Sequence, residues 1–124
     1  MYRELYEQAQ AVKAYSYAPY SHLHVGAALL CADGTMYTGV NVENASYGGT
    51  ICAERSAAVT AVSHGNKDFE AIAICSDEGE AWPCGICRQF LYEFAPDMKV
   101  ITGNSEEELE VMELSALMPK GWTL

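Results

Sequence analysis

The sequence predicts an α/β fold, one sheet of about five strands with helices on its faces. Three observations carry that prediction. Apolar residues recur at helical spacing near the start, at Tyr2, Leu5, Tyr6, Ala9 and Val12. Short apolar runs bounded by turn residues follow, of strand length. The two kinds of segment come in the order α-β-β-α-β-α-β-β, which implies a sheet covered by helices. No repeat, low-complexity tract or long linker divides the 124 residues, so one domain over 1–124 is expected. Half of the residues are hydrophobic, enough for one cooperative core in a chain that can bury about two-thirds of its unfolded surface.

Each element has its own signal. The helix of residues 2–16 ends at Ala18-Pro19-Tyr20-Ser21, where proline cannot continue it. Val25 to Ala32 is a nearly unbroken run of small and apolar residues, a buried strand. Asp33-Gly34 then signals a hairpin, and Met36 to Val42 is the returning strand. Tyr47-Gly48-Gly49-Thr50 leads to a helix from about Cys52 to Ser63, with His64-Gly65 as its stop. Ala71 to Cys75 is a short strand. Trp82-Pro83-Cys84-Gly85 turns into a helix carrying Phe90, Leu91 and Phe94. Residues 99–102 and 109–113 complete the set as two further strands.

Charge and cysteine usage exclude several functions. Seven Lys and Arg against 17 Asp and Glu give a formal charge of -10, so no basic stripe exists to neutralise phosphates. Nucleic acid and anionic membrane surfaces are therefore not expected partners. No apolar run approaches the roughly 20 residues that span a bilayer. The opening MYRELYEQAQ is charged and amphipathic, unlike a secretion signal. Five cysteines, an odd number, point to a reducing, cytoplasmic setting with metal or catalytic use of some of them.

Those cysteines form the informative constellation. Cys52-Ala53-Glu54-Arg55 precedes Pro83-Cys84-Gly85-Ile86-Cys87-Arg88. Cys52, Cys84 and Cys87 make three thiol ligands, and none of His22, His24 and His64 stands at a ligand-like spacing to complete them. Structural zinc sites are closed by four protein ligands, whereas catalytic ones keep a position open. An open three-cysteine zinc site is the better fit, with one Zn²⁺ per chain. Three thiolates leave such a centre with one net negative charge, which needs nearby donors. Cys52 and Cys84 fall at predicted helix starts, where free N–H groups and the helix dipole favour thiolates. Arg55 and Arg88 can donate to the sulfurs and restore the Lewis acidity that thiolates diminish. Glu54, two positions after Cys52, is free to carry protons rather than ligate.

The ligand-x-Glu and Pro-Cys-x-x-Cys pattern is the signature of the zinc nucleobase deaminases. Beyond that signature the chain resembles the small, all-cysteine cytidine deaminase family over nearly its whole length. The likeness runs through Tyr17-Ala18-Pro19-Tyr20-Ser21, Val25 to Leu29, Asn41-Val42-Glu43-Asn44-Ala45-Ser46-Tyr47 and both cysteine motifs, and ends weakly at Leu117-Met118-Pro119. The resemblance implies a three-layer α/β/α sandwich with a mixed five-stranded sheet, a homotetramer, and hydrolysis of cytidine and deoxycytidine to uridine and deoxyuridine with release of ammonia. It makes Glu54 the proton carrier to N3 and to the departing amine, and Ala53 a backbone contact of the ring. It makes Asn41 and Glu43 the grip on the sugar. Two apart on a predicted strand, they point to one face, and an amide with a carboxylate suits hydroxyls that both donate and accept.

The chain departs from the family at two places. Leu23 stands where the family usually has Phe, so it covers a base without an aromatic face. Trp82 replaces a small residue before Pro-Cys, at the pocket entrance, against a neighbouring subunit or in loop packing. Trp122 lies near the family's C-terminal aromatic that reaches an adjacent subunit's site, and Tyr47 is a second candidate for such a contact. Two rival functions remain open: a deaminase of a modified aminonucleoside such as blasticidin S, and a catalytically silent zinc-stabilised binding module. The Asn41–Glu43 segment opposes the first and Glu54 the second.

Overall fold

Alternation along the strands decides the layers. The computed structural model describes residues 2–124. Helix α1 (Tyr2–Val12) turns Leu5, Tyr6 and Ala9 inward. Strand β1 (Val25–Cys31) turns back through Asp33-Gly34 into β2 (Met36–Val40). Gly34 takes the left-handed φ of 89° that this turn requires, and its N–H donates to the Cys31 carbonyl at 2.9 Å. Helix α2 (Ala53–Ser63), strand β3 (Phe69–Ser76), helix α3 (Gly85–Tyr92) and strands β4 (Lys99–Gly103) and β5 (Leu109–Glu113) follow, then a single helical turn, α4 (Leu114–Leu117).

The five strands lie in the order β2-β1-β3-β4-β5. Only β3 and β4 pair in parallel; the other three pairs are antiparallel, so the sheet is mixed. Ala27, Leu29 and Cys31 face α2 and α3, packed with Ala57, Ala61 and Leu91. Ala28 and Leu30 face the other way, onto Leu5, Tyr6 and Ala9 of α1. Burial of Leu5 alone contributes about 1.5–3 kcal/mol. The result is three layers, α1 on one face and α2 with α3 on the other.

Two glycines let the helices sit close. A Cβ at Gly26 would lie 2.1 Å from the Ala9 carbonyl oxygen of α1. One at Gly39 would lie 2.2 Å from the Ala57 nitrogen of α2. Parallel strands need a crossover, and α3 supplies it between β3 and β4. This places the start of α3 beyond the carboxyl end of β3.

The sheet of five strands with helices on its faces agrees with the sequence, and the mixed α/β/α sandwich with what the resemblance implies. Several boundaries differ. The first helix stops at Val12 and tightens into a 3₁₀ turn over Lys13–Tyr15, instead of running to residue 16. The second strand ends at Val40, and Val42 makes only isolated bridges to Tyr17 and Ile51. Four residues of α4 are too few for a periodic signal. Among the described residues, no helix is long and apolar enough to cross a membrane.

Candidate active site

Two helix starts converge on the three thiols. Cys52 is the residue before α2, Cys84 the residue before α3, and Cys87 lies in the first turn of α3. Their sulfurs all fall within 4.8 Å of one another, and Cys52 Sγ is 3.8 Å from Cys84 Sγ. A tetrahedral zinc with Zn–S bonds of about 2.3 Å has S···S edges of about 3.8 Å, so the donor set fits this metal in both chemistry and spacing. No fourth protein ligand joins them among the described residues.

Charge around the sulfurs is unequal. The Cys87 thiol and then the Arg55 guanidinium donate to Cys52 and draw its thiol down to about 5. The same contact with Cys52, together with burial, pushes Cys87 up. Arg55 Nη2 lies 3.6 Å from Cys52 Sγ. Arg55 Nε is buried without a hydrogen-bond partner among the described residues. Arg88 behaves differently from its sequence expectation. Its Nε donates to the Pro83 carbonyl at 2.6 Å and its Nη1 to the Leu117 carbonyl at 2.9 Å. Arg88 therefore ties the loop before Cys84 to α4, and the sulfurs are served by Arg55. A guanidinium in the first turn of α3 can reach back to the loop or down to the sulfurs, and the unpaired carbonyls of Pro83 and Leu117 attract it first.

Glu54 sits in the first turn of α2, only 6% exposed. Burial, reinforced by the Cys52 charge, pushes its carboxyl up to about 7. A carboxyl in that range both gives and takes protons near neutrality. It lines a cavity of about 290 Å³ together with Cys52, Ala53 and Cys84. Asn41, Glu43 and Leu23 line the same cavity.

Asn41 and Glu43 are more than ligand contacts. Asn41 Oδ1 accepts from the Val25 N–H at 2.9 Å and from the Ser16 hydroxyl, and its Nδ2 donates to the Leu23 carbonyl at 2.8 Å. One Nδ2 hydrogen remains free for a ligand. Glu43 Oε1 accepts from the N–H groups of Tyr20 and Ser21 at 3.0 and 3.1 Å, and Oε2 accepts from the Ser21 hydroxyl. The Ser21 hydroxyl bond leads these contacts in holding the carboxyl below its usual range. Both side chains thus shape the segment that carries Leu23.

The structure also brings Ser21, Thr50, Ile51, Ser76 and Trp82 to the cavity. Sequence reasoning singled out only Trp82 of these, since isolated serines and aliphatic residues carry no spacing signal. Tyr47 lies outside the cavity wall, 82% exposed, beside a second hollow shared with Tyr20, Glu43 and Thr50. Trp122 is 61% exposed and its carbonyl accepts from Gln89 at 3.1 Å; it too is absent from the cavity wall within this chain.

Residues 1–104 match the cytidine and deoxycytidylate deaminase zinc-binding region. The chain is 44% identical over 121 residues to a cytidine deaminase of Halalkalibacterium halodurans, covering 96% of this chain and 92% of that relative. It superimposes on the crystal structure of a cytidine deaminase from Burkholderia pseudomallei with a TM-score of 0.92 at 40% identity, covering 98% and 99% of the two chains. A blasticidin-S deaminase of Bacillus cereus is 38% identical over 87 residues, 63% of this chain and 62% of that one.

Proposed function

This chain belongs to the cytidine and deoxycytidylate deaminase zinc-binding family, and from that premise we infer its reaction. It is a zinc-dependent enzyme that hydrolyses cytidine to uridine, and deoxycytidine to deoxyuridine, with release of ammonia. One observation carries the assignment of roles: three thiols lie within 4.8 Å of one another, and two of them, Cys52 and Cys84, line one cavity with the buried Glu54 and with Asn41 and Glu43.

Cys52, Cys84 and Cys87 would hold the zinc, which when bound would supply the Lewis acid that makes water a competent nucleophile at neutral pH. Arg55 offsets the charge of Cys52. Glu54 takes a proton from the attacking water and delivers it to N3 of the ring. It then takes the remaining proton from the hydroxyl now on C4 and passes it to the departing 4-amino nitrogen, so a C4=O bond replaces C4–N and ammonia leaves. The backbone of Ala53, at the start of α2, orients the ring. Asn41 and Glu43 bind the sugar hydroxyls, with Leu23 covering the base.

A homotetramer and a cytoplasmic setting complete the reading. Exposed Tyr47 and Trp122 support the first as surfaces for a neighbouring subunit, and five free thiols support the second. Light scattering tests the mass directly; a monomer would remove both cross-subunit roles.

Ammonia release from zinc-quantified protein tests the reaction, with cytidine, deoxycytidine, cytosine, adenosine and blasticidin S offered side by side. Turnover of the two pyrimidine nucleosides and none of free cytosine is expected, because only the nucleosides engage Asn41 and Glu43. Turnover of blasticidin S alone would replace the substrate, and silence on all five would overturn the assignment.

A further inference from the structure

The cavity has one feature that the reaction as described does not use. Most of its apolar lining is aliphatic, from Leu23, Val25, Ile51 and Ile74. Trp82 is the single aromatic side chain lining it among the described residues. The indole is half-buried, packed against the core cluster on the α2 and α3 face of the sheet.

The loop holds this indole in place from both sides. Before it, the Ala81 N–H donates to Thr102 Oγ1 at 2.9 Å, and that hydroxyl donates to the Ile74 carbonyl at 2.9 Å, which anchors the loop to β3 and β4. After it, the buried Pro83 has its carbonyl bonded by Arg88. The indole N–H itself donates to the Glu80 carboxylate. An aromatic side chain fixed at its backbone and at its polar edge loses little freedom when a flat ligand packs on it.

We propose that Trp82 is the stacking wall for the base, a specificity-determining residue that packs its indole against a planar pyrimidine ring held between the thiol cluster and the sugar grip. The inference rests on the nucleoside reading of the cavity. Ligand length fixes the ring's place: the reacting C4 must reach the thiols and Glu54, and the sugar must reach Asn41 and Glu43. The ring then lies between those two contacts, in a cavity where Trp82 offers the only π-face from the described residues of this chain. Offset stacking adds to the apolar burial that Leu23 and its aliphatic neighbours provide. Because the contact is made equally by ground state and transition state, its loss raises KM and spares kcat.

The test combines tryptophan emission with steady-state kinetics. The chain has two tryptophans, Trp82 and Trp122. Uridine is expected to quench the emission of Trp122→Phe, in which Trp82 alone emits, and 5,6-dihydrouridine, whose ring is saturated and puckered, to quench it little and bind more weakly. Trp82→Phe should keep KM for cytidine within about twofold. Trp82→Leu should raise KM about three- to tenfold with kcat nearly unchanged. An unquenched Trp122→Phe, equal binding of uridine and dihydrouridine by the wild type, or an unchanged KM in Trp82→Leu would each overturn the stacking wall while leaving the deaminase reading intact. A wild-type protein inactive on cytidine would instead overturn that reading, and this one with it.

Discussion

Replacing Gly39 by alanine links the packing of the sheet to the chemistry of the site. The added Cβ would lie 2.2 Å from the Ala57 nitrogen, 2.7 Å from the Ser56 carbonyl carbon and 2.8 Å from the Ala53 carbonyl oxygen. All three are backbone atoms of α2 and cannot swing aside. Ordinary contact begins near 3.4 Å, so the helix must retreat from β2 by about 1.2 Å. Overpacking of this kind costs about 1–3 kcal/mol, which lowers Tm by about 4–15 °C for a chain of this size. The same displacement moves Cys52, Ala53 and Glu54 relative to Cys84 and Cys87, which ride on α3. A misplacement of about 1 Å at reacting groups can cost about a hundredfold in rate. Gly26→Ala is the matched comparison, because its Cβ meets α1 on the opposite face, 2.1 Å from the Ala9 carbonyl oxygen. Thermal unfolding should show both variants destabilised, whereas kcat/KM for cytidine should fall about 30- to 100-fold only in Gly39→Ala. Equal losses of activity in the two variants, or wild-type Tm and activity in Gly39→Ala, would refute the claim that this helix contact sets the site.

Four other outcomes follow from the contacts of the site. Glu54→Gln should retain about one zinc per chain, measured by metal analysis, and lose about 10²- to 10⁴-fold in ammonia release, because the amide cannot carry a proton. Arg88→Ala removes two bonds from a charged donor to carbonyl oxygens, so chemical denaturation should show a loss of about 2–4 kcal/mol, with faster zinc release to a chelator as the Cys84 loop loosens. Asn41→Asp forfeits the donation to the Leu23 carbonyl and should raise KM about tenfold, read from initial rates. Glu43 gains its hydrogen bonds only on folding and has a lowered folded-state pKa, so its contribution is present above the unfolded value of about 4.5 and fades as pH falls through the folded one. The gap between wild type and Glu43→Gln in urea midpoint should accordingly be open at neutral pH and narrow as the pH falls below about 4.5.

The sequence by itself determined the order of the elements, a sheet of about five strands and the cysteine and glutamate motifs that the fold brings together. Apolar periodicity reports which face of a segment is buried, Asp33-Gly34 reports a hairpin, and a Cys-x-Glu with a Pro-Cys-x-x-Cys reports ligands that chemistry alone restricts. Such signals are local, and they survive without knowledge of neighbours. Only the tertiary structure decided what each polar side chain does with its remaining valences. Arg88 is next to Cys87 in the chain, yet it spans to the Pro83 and Leu117 carbonyls, an arrangement that depends on where a four-residue helix too short to signal itself comes to rest. Asn41 and Glu43 spend most of their hydrogen-bonding capacity on the backbone of residues 20–25, a long-range match that spacing does not encode. Trp82 becomes a cavity wall because Thr102, 21 residues along the chain from Ala81, fastens the loop before it. Hydrogen bonds are short-ranged and directional, so which donor meets which acceptor is settled only when packing brings distant segments within about 3 Å.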